Sequence, residues 1–504
     1  MMEHTLLNPR TGSDQMRQWR EMGGAAPAAA PTTAKSRLLL AAALVGVVLL
    51  AGGLRFFRLG AWSFTNDESA TLVEDQSLFG ADAAPPTDQT YRLPRLIPLA
   101  YGIQHIDYLL FGRDEWGSRV LPAVMGTLGV GLVFLLLRRS QGLAAATAAA
   151  VLVALSPDHL YHSQSNRHYS VAWLCASAAM LVGAAAVRRR SQLLTCTASG
   201  LAILAVLTHT LLAVVSAGLT VAVAVAGGLR FGWAARPLVR VAALATLLTV
   251  GLVAFLMGRL GGGWNAGNVW GYGVLHSVMA GVLQVGWPTA LLALVGAVDV
   301  AISRDSDGVY WLTWAGVWAT ATAALPLVVV YHPAYGFMLS LGVFVLAGRT
   351  IGKIFERLRS WNTVAACAWL AAACLFGLPD AASYFADGSR FDFRAAAKTV
   401  SDQWRPGDRI RSGSPKLLQL YLKGTDRPVG VREEDPLLGL DHEARSGGRL
   451  WVVLPVSREG EPAALRQWLD ANCRRVALIR RQRFDYHEYA VEVYLHPGVE
   501  AGLE

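Results

Sequence analysis

The stretch Phe64-Thr65-Asn66-Asp67-Glu68-Ser69 puts two adjacent carboxylates a few residues beyond the first long hydrophobic run. Charged groups at a bilayer surface are costly unless they face water, a partner or a substrate. A carboxylate so placed can take the proton of a hydroxyl as a general base. Asp67 is the candidate for that role, with Glu68 as its support. A second polar cluster runs from Ser156 to Tyr169, Ser156-Pro157-Asp158-His159 and then Tyr161-His162-Ser163-Gln164-Ser165-Asn166-Arg167-His168-Tyr169, far more than a turn between two spans needs. Read as a helix, Gln164, Arg167 and His168 share one face at i, i+3 and i+4. Arg167 is the only fixed positive charge in the cluster, suited to holding a phosphate. A third cluster is Tyr331-His332-Pro333-Ala334-Tyr335, and His209 stands alone between two apolar runs.

Each feature also has an ordinary explanation. Asp158 can cap the helix that Pro157 opens. Arg167 can anchor to lipid headgroups, and Tyr331–Tyr335 can be an aromatic belt. His209 and His332 can be satisfied structural histidines. What favours chemistry is the coincidence of these clusters on one membrane face.

That face is set by the elements around them. The chain has 504 residues, 53% hydrophobic and only 16% charged, with a mean hydropathy of +0.37, the profile of an integral membrane protein. The formal charge of +9 is spread over short loops, which fits positive-inside topology better than a nucleic-acid patch. Four of the five cysteines lie in apolar runs and Cys473 stands alone in the polar tail, so neither a disulfide framework nor a cysteine metal site follows. Nor do His and Asp residues cluster at ligand spacing, so these residues require no metal or other cofactor.

Apolar runs of spanning length fall near 38–54, 119–137, 142–155, 170–187, 192–207, 211–228, 241–257, 284–302, 309–330, 336–348 and 362–378, about eleven spans. Residues 1–36 read as a disordered cytoplasmic N-terminus, and 37–378 as the transmembrane domain. Its first outer loop, 55–118, is long, with surface helices expected over Ser69–Leu78 and Arg95–Phe111. Arginines at 138–139, 188–190, 230–240 and 349–359 fall in alternate loops and so on one side, putting the N-terminus inside and Asp67, Arg167 and Tyr335 outside. Residues 379–504 are charged and alternate helix and strand, a small extracytoplasmic α/β domain. It has no glycine-rich phosphate loop.

The order of motifs resembles a known family. After the first span come Asp67-Glu68 and then Phe111-Gly112-x-x-Glu115-x-x-x-Arg119. Two spans later come Ser156-Pro157 and Ser163-Gln164-x-x-Arg167-x-Tyr169. This is similar to the polyprenyl-phosphate-sugar-dependent membrane glycosyltransferases of the C-type (GT-C) fold, the protein-mannosyltransferase-like family 39. Within them it is most similar to the bacterial lipopolysaccharide galacturonosyltransferase-like branch. The resemblance covers residues 40–190 best, and the segment around Asp392–Ala396 is similar to the outer domain of many such proteins. One departure is Leu96-Ile97-Pro98 where members often have His-Pro-Pro.

The resemblance implies a polytopic all-α bundle that transfers a sugar from a polyprenyl-phosphate donor to a hydroxyl of lipid, polysaccharide or protein, with inversion, at the outer face of the bacterial cytoplasmic membrane. Asp67 and Glu68 would be catalytic. Arg167, Tyr169, Gln164, His168, Asp158, Arg119 and Tyr335 would bind donor phosphate or substrate. A transporter or lipid flippase is the competing class, but it calls for polar residues at the midplane and paired halves. A receptor or scaffold leaves the outer loops unexplained. If the orientation is right, a reporter fused after Leu495 is active only outside the cytoplasm. Activity inside would overturn it.

Overall fold

A backbone crossing lipid must satisfy its own N–H and C=O groups, so each apolar run folds as a helix. The computed structural model describes residues 34–79, 97–259, 274–328, 333–357, parts of 364–390, 391–422, 429–430, 436–445, 447–456, 463–482 and 488–498. The chain divides into Met1–Val45, described only for the first turns of a helix, and Gly46–Glu504, which holds every contact discussed below.

The helices are α1 Ala34–Phe56, α2 Asn66–Phe79, α3 Pro98–Phe111, α4 Val120–Leu155, α5 Pro157–Ser163, α6 Tyr169–Arg189, α7 Gln192–Thr208, α8 Ala213–Phe231, α9 Arg236–Arg259, α10 Val274–Val285, α11 Trp287–Ser303, α12 Ser306–Val328 and α13 Leu341–Arg357. Among the described residues, four helical stretches are long and apolar enough to cross a membrane, or five if a pair bent by 96° at Gly286 is one span. Two of the four, Gly117–Leu155 and Thr210–Leu256, are 39 and 47 residues long, roughly twice what a bilayer core takes.

Both fold back. At Gly142 the backbone leaves the helix with φ 83°. Arg55 contacts the chain on either side of that break: its Nη1 donates to the Ala154 carbonyl at 3.4 Å, and a Cβ on Gly126 would lie 2.9 Å from its Nε. Only a hairpin brings Gly126 and Ala154 to one side chain. In the second stretch, Ser216 Oγ meets Thr249 Oγ1 at 2.9 Å and Thr220 Oγ1 meets Thr246 Oγ1 at 2.8 Å. That descending register makes α8 and α9 antiparallel. The expectation of about eleven spans counted hairpin legs and shorter helices separately. The run expected at 284–302 folds as α11, preceded by the bent helix α10, and the run at 336–348 begins as the 3-10 helix Pro333–Leu339 before α13. The last run, 362–378, lies largely outside the described residues.

Small residues allow close helix contact where lipid offers no hydrophobic drive. A Cβ on Gly348 of α13 would sit 2.6 Å from the Ala145 carbonyl oxygen, and one on Gly352 would sit 2.7 Å from the Ala145 Cβ.

The polar tail folds as expected into α14 Phe393–Ser401, β1 Arg409–Ser412, α15 Pro415–Gln419, β3 Leu450–Val456, α17 Ala463–Asn472, β4 Arg474–Gln482 and β5 Glu488–His496. Strand β2 Val429–Gly430 and helix α16 Pro436–Arg445 add to it. The sheet order is β2-β1-β3-β5-β4, parallel at β1–β2 and β1–β3 and antiparallel at β3–β5 and β4–β5. Both faces of β3 are buried: Trp451 and Val453 pack with Phe393, Ala397 and Val400 of α14, while Leu450, Val452 and Leu454 pack with Leu465 and Leu469 of α17. That explains why the β3 sequence reads as a continuous apolar run. The first of these cores also takes in Phe64, Leu72 and Tyr108 from the first loop. Loop and tail share one hydrophobic core.

Gly348→Leu should lower stability by about 1–3 kcal/mol, because the added side chain meets backbone rather than a movable tip. A fall in the detergent melting temperature checks it; an unchanged value would contradict the close α4–α13 packing.

Candidate active site

Helix α2 carries the acid pair, and its start follows from local sequence. Thr65-Asn66-Asp67-Glu68 is a capping box: the Glu68 N–H donates to Thr65 Oγ1 at 3.2 Å and the Thr65 N–H donates to Glu68 Oε2 at 2.9 Å. The two acids then part. Asp67 is 71% exposed, whereas Glu68 is fully buried.

Glu68 is held by Arg119, whose Nε donates to Oε1 at 2.9 Å and whose Nη2 donates to Oε2 at 3.1 Å. The Asn166 N–H donates to Oε1 at 2.7 Å, and Arg390 Nε lies 4.0 Å from Oε2. Burial on its own would raise the Glu68 pKa, but the Arg119 and Arg390 charges outweigh it and hold it at about 2. The carboxylate therefore contributes stability above its usual 4.5, which is lost as pH falls toward 2.

Arg119 spends its remaining hydrogen bonds on the carbonyls of Leu59, Trp62 and Ser63 at 3.0–3.2 Å, and it is fully buried. Here the structure departs from the sequence expectation. Neither Glu68 nor Arg119 reaches solvent, and each is held by the other and by backbone groups, not by the exposed group at Asp67. Together they fix the first loop.

Gln164 departs in the same way. Its Nε2 donates to the carbonyls of Leu54, Arg55 and Phe57 at 2.8–3.2 Å, and Tyr384 OH donates to its Oε1 at 2.5 Å. It closes the C-terminal end of α1, whose last carbonyls lack helical partners. Gln164, Arg167 and His168 do not share a helix face. Helix α5 stops at Ser163, Gln164 is its C-cap, and α6 starts at Tyr169. Asp158 lies buried in the first turn of α5, where Ser156 is the N-cap residue.

Arg167 does lie beside Asp67. Its Nη1 donates to the Asp67 carbonyl at 3.2 Å and to Thr71 Oγ1 at 2.8 Å, and its Nη2 is 4.0 Å from Asp67 Oδ2. The side chain is only 11% exposed, and its buried Nε has no hydrogen-bond partner among the described residues. Burial opposes its charge, but Tyr169 and Asp67 prevail and hold it charged. His168 and His209, with ring centroids 5.4 Å apart, are both pushed down by burial and then by Arg167, His209 to about 3. They are neutral, leaving Arg167 as the cation of this cluster.

Tyr169 lies under the Arg167 guanidinium at 5.5 Å and against Tyr335 at 5.8 Å, with Tyr335 5.2 Å from His209. Asp67, Arg167, His168, Tyr169, His209 and Tyr335 thus form one contiguous group, as the sequence clusters suggested. Tyr331 and His332 lie outside the described residues.

Other residues gave little signal in sequence. Asn166 Oδ1 accepts from Tyr108 OH at 2.8 Å and Gln104 Nε2 at 3.2 Å. Asp107 accepts from the Leu121 N–H at 3.0 Å, and Asp75 pairs with His105 and Arg113. The polar residues interleaved in α3 therefore point inward. Arg390 of the tail, also buried, donates to the Gln164 carbonyl at 3.0 Å and to Ser165 Oγ at 2.9 Å. Glu74, one turn past Thr71 on α2, accepts from Tyr101 OH. The i, i+4, i+7 spacing of Asp67, Thr71 and Glu74 was the available sign.

Residues 94–257 match the model of the dolichyl-phosphate-mannose-protein mannosyltransferase family. No curated protein matches by sequence. Among solved structures, the chain is similar to ArnT from Cupriavidus metallidurans bound to undecaprenyl phosphate, with 14% identity, a TM-score of 0.53, and coverage of 92% of this chain and 98% of that one. It is also similar to the archaeal oligosaccharyltransferase AglB from Archaeoglobus fulgidus, in complex with an inhibitory peptide and a dolichol-phosphate. There the identity is 15%, the TM-score 0.50, and the coverage 79% of this chain and 61% of that longer one. The fold is therefore that of a polytopic membrane protein of the C-type glycosyltransferase class. The family match over 94–257 takes in the stretch that holds Arg119, Arg167 and Tyr169.

Glu68→Gln should cost about 3–5 kcal/mol, since it strands the buried Arg119 charge. Arg119→Lys should be nearly as severe, because one ammonium cannot reach three carbonyls and both carboxylate oxygens. Thermal unfolding in detergent checks both; wild-type stability in either would show the pair is dispensable.

Proposed function

We propose that the protein transfers a sugar from a polyprenyl-phosphate donor to an acceptor hydroxyl at the outer face of the cytoplasmic membrane. The observation that carries this is an exposed carboxylate, Asp67, 4.0 Å from a nearly buried guanidinium, Arg167, whose Nε–H has no hydrogen-bond partner among the described residues. In this reading the bond between the sugar C1 and the phosphate oxygen breaks as the acceptor oxygen attacks C1 from the opposite face. The acceptor proton passes to Asp67. The phosphate monoester leaves with its charge held by Arg167, a charge-assisted pairing strengthened by the low exposure of the site. One attack inverts the anomeric centre, and one carboxylate suffices.

The other residues support these two. Glu68 is a positioning residue: through its capping box and its bond to the Asn166 N–H it sets Asp67 and Arg167 in register. Tyr169, His168 and Tyr335 form the neutral aromatic wall beside the phosphate position. The transferred group is a hexose or pentose, and the acceptor a hydroxyl of lipid, polysaccharide or protein. We assign the transmembrane domain to 37–378 and the outer domain to 379–504, with the outer domain on the same side of the membrane as Asp67.

Asp67→Asn keeps size and hydrogen bonding but removes basicity, so turnover should fall about 100-fold or more while donor binding survives. Arg167→Ala should weaken donor binding by about 2–4 kcal/mol. Donor affinity and single-turnover rates in nanodiscs measure both. Near-wild-type turnover by the Asp67 variant would remove it as the base.

A further inference from the structure

Resting on the reading above, we infer that Glu74, held by Tyr101, is the residue that reads the hydroxyls of the donor sugar, and that it disfavours a hexuronic acid. Glu74 lies seven residues beyond Asp67 on α2, about 10 Å along the helix axis and on the same face. Arg167 sits between them, bonded to Asp67 and Thr71. A phosphate held at Arg167 would therefore present its sugar between a carboxylate at one end and a carboxylate at the other. Asp67 faces the anomeric carbon. Glu74 faces the ring hydroxyls.

The side chain is built for that task. Among the described residues Glu74 accepts a hydrogen bond only from Tyr101 OH, on Oε2, which leaves Oε1 with unused lone pairs. Tyr101 is itself buried in a small core with Ile97, Ala100 and Leu78, so the carboxylate is fixed in place. A fixed, half-buried carboxylate with a free oxygen recognises hydroxyl donors well, and a site made this way rejects ligands lacking them.

The wall opposite comes from the tail. Helix α15 packs on α2, and the exposed Lys416 is close enough for its charge to be felt at Glu74, as are those of Arg167 and Asp67. With a donor phosphodiester in place, the site would hold three negative charges, on Asp67, Glu74 and phosphate, against two positive ones. A carboxylate on the sugar would be a fourth negative charge, adding repulsion that a neutral or amino sugar avoids. This runs against the galacturonosyltransferase-like branch that the order of sequence motifs resembles.

The test measures binding of three undecaprenyl lipids to the full-length protein in nanodiscs: the bare phosphate, neutral mannosyl and glucosyl phosphates, and the galacturonosyl phosphate. Wild type should bind the better neutral sugar lipid about tenfold tighter than the bare phosphate, and the galacturonosyl lipid weakest of the sugar lipids. Glu74→Gln and Tyr101→Phe should cut the neutral-sugar preference to about threefold or less, leaving bare-phosphate binding unchanged. Glu74→Gln should also narrow the gap to the galacturonosyl lipid. The inference is overturned if wild type shows no neutral-sugar preference, if the galacturonosyl lipid binds tightest, if Glu74→Gln keeps the preference, or if it loses bare-phosphate affinity as well. The broader reading fails separately, if Arg167→Ala binds bare undecaprenyl phosphate as tightly as wild type.

Discussion

The ion pair between Glu68 and Arg119 is the contact on which the rest of the candidate site depends. Two fully buried charges are tolerated because each hydrogen-bonding position is used. Arg119 takes three backbone carbonyls of the chain leaving the first span, and Glu68 takes the N-terminus of its own helix and the backbone of Asn166. Segments far apart in sequence are thereby locked within hydrogen-bond distance. The exposed Asp67 and the shielded Arg167 meet as a consequence. The neighbouring acids differ because they occupy successive positions on one helix: one turns inward to the arginine and the other outward.

Much of this was legible in the chain. The capping box at Thr65–Glu68 follows from residue types, the apolar runs give the helices, and the alternation in the tail gives its mix of helices and strands. The clustering of Asp67, Arg167, Tyr169 and Tyr335 followed from loop orientation and motif order. What was not legible were the roles that depend on backbone partners. Arg119 and Gln164 look like ligand-binding residues because they are polar and near the motifs. Their acceptors are carbonyl groups, which leave no mark in a side-chain pattern. The segment Gln164–His168 lacks apolar periodicity, so assigning it to a helix face had little physical basis. It is a turn, because its polar groups bond to α1, α2 and the tail instead of to a continuing helix.

The tail is more than an appendage in this arrangement. Its hydrophobic core includes Phe64, Leu72 and Tyr108 of the first loop, the Phe64 N–H donates to Tyr421 OH at 2.6 Å, and Ser63 Oγ donates to the Phe391 carbonyl at 2.8 Å. Such a shared core means the loop helices owe part of their stability to residues at the other end of the sequence, and neither part buries its apolar surface alone.

The place of Arg390 has a temporal side. A ribosome adds on the order of 5–20 residues per second, so tens of seconds separate the emergence of Glu68 from that of Arg390. During that interval Glu68 has Arg119 but lacks the second guanidinium, and Gln164 has α1 but lacks Tyr384. The candidate site of a nascent chain is therefore provisional until its last quarter has been made. A ribosome stalled beyond the spans leaves a protein that is inserted and helical, yet has not closed around its own acids.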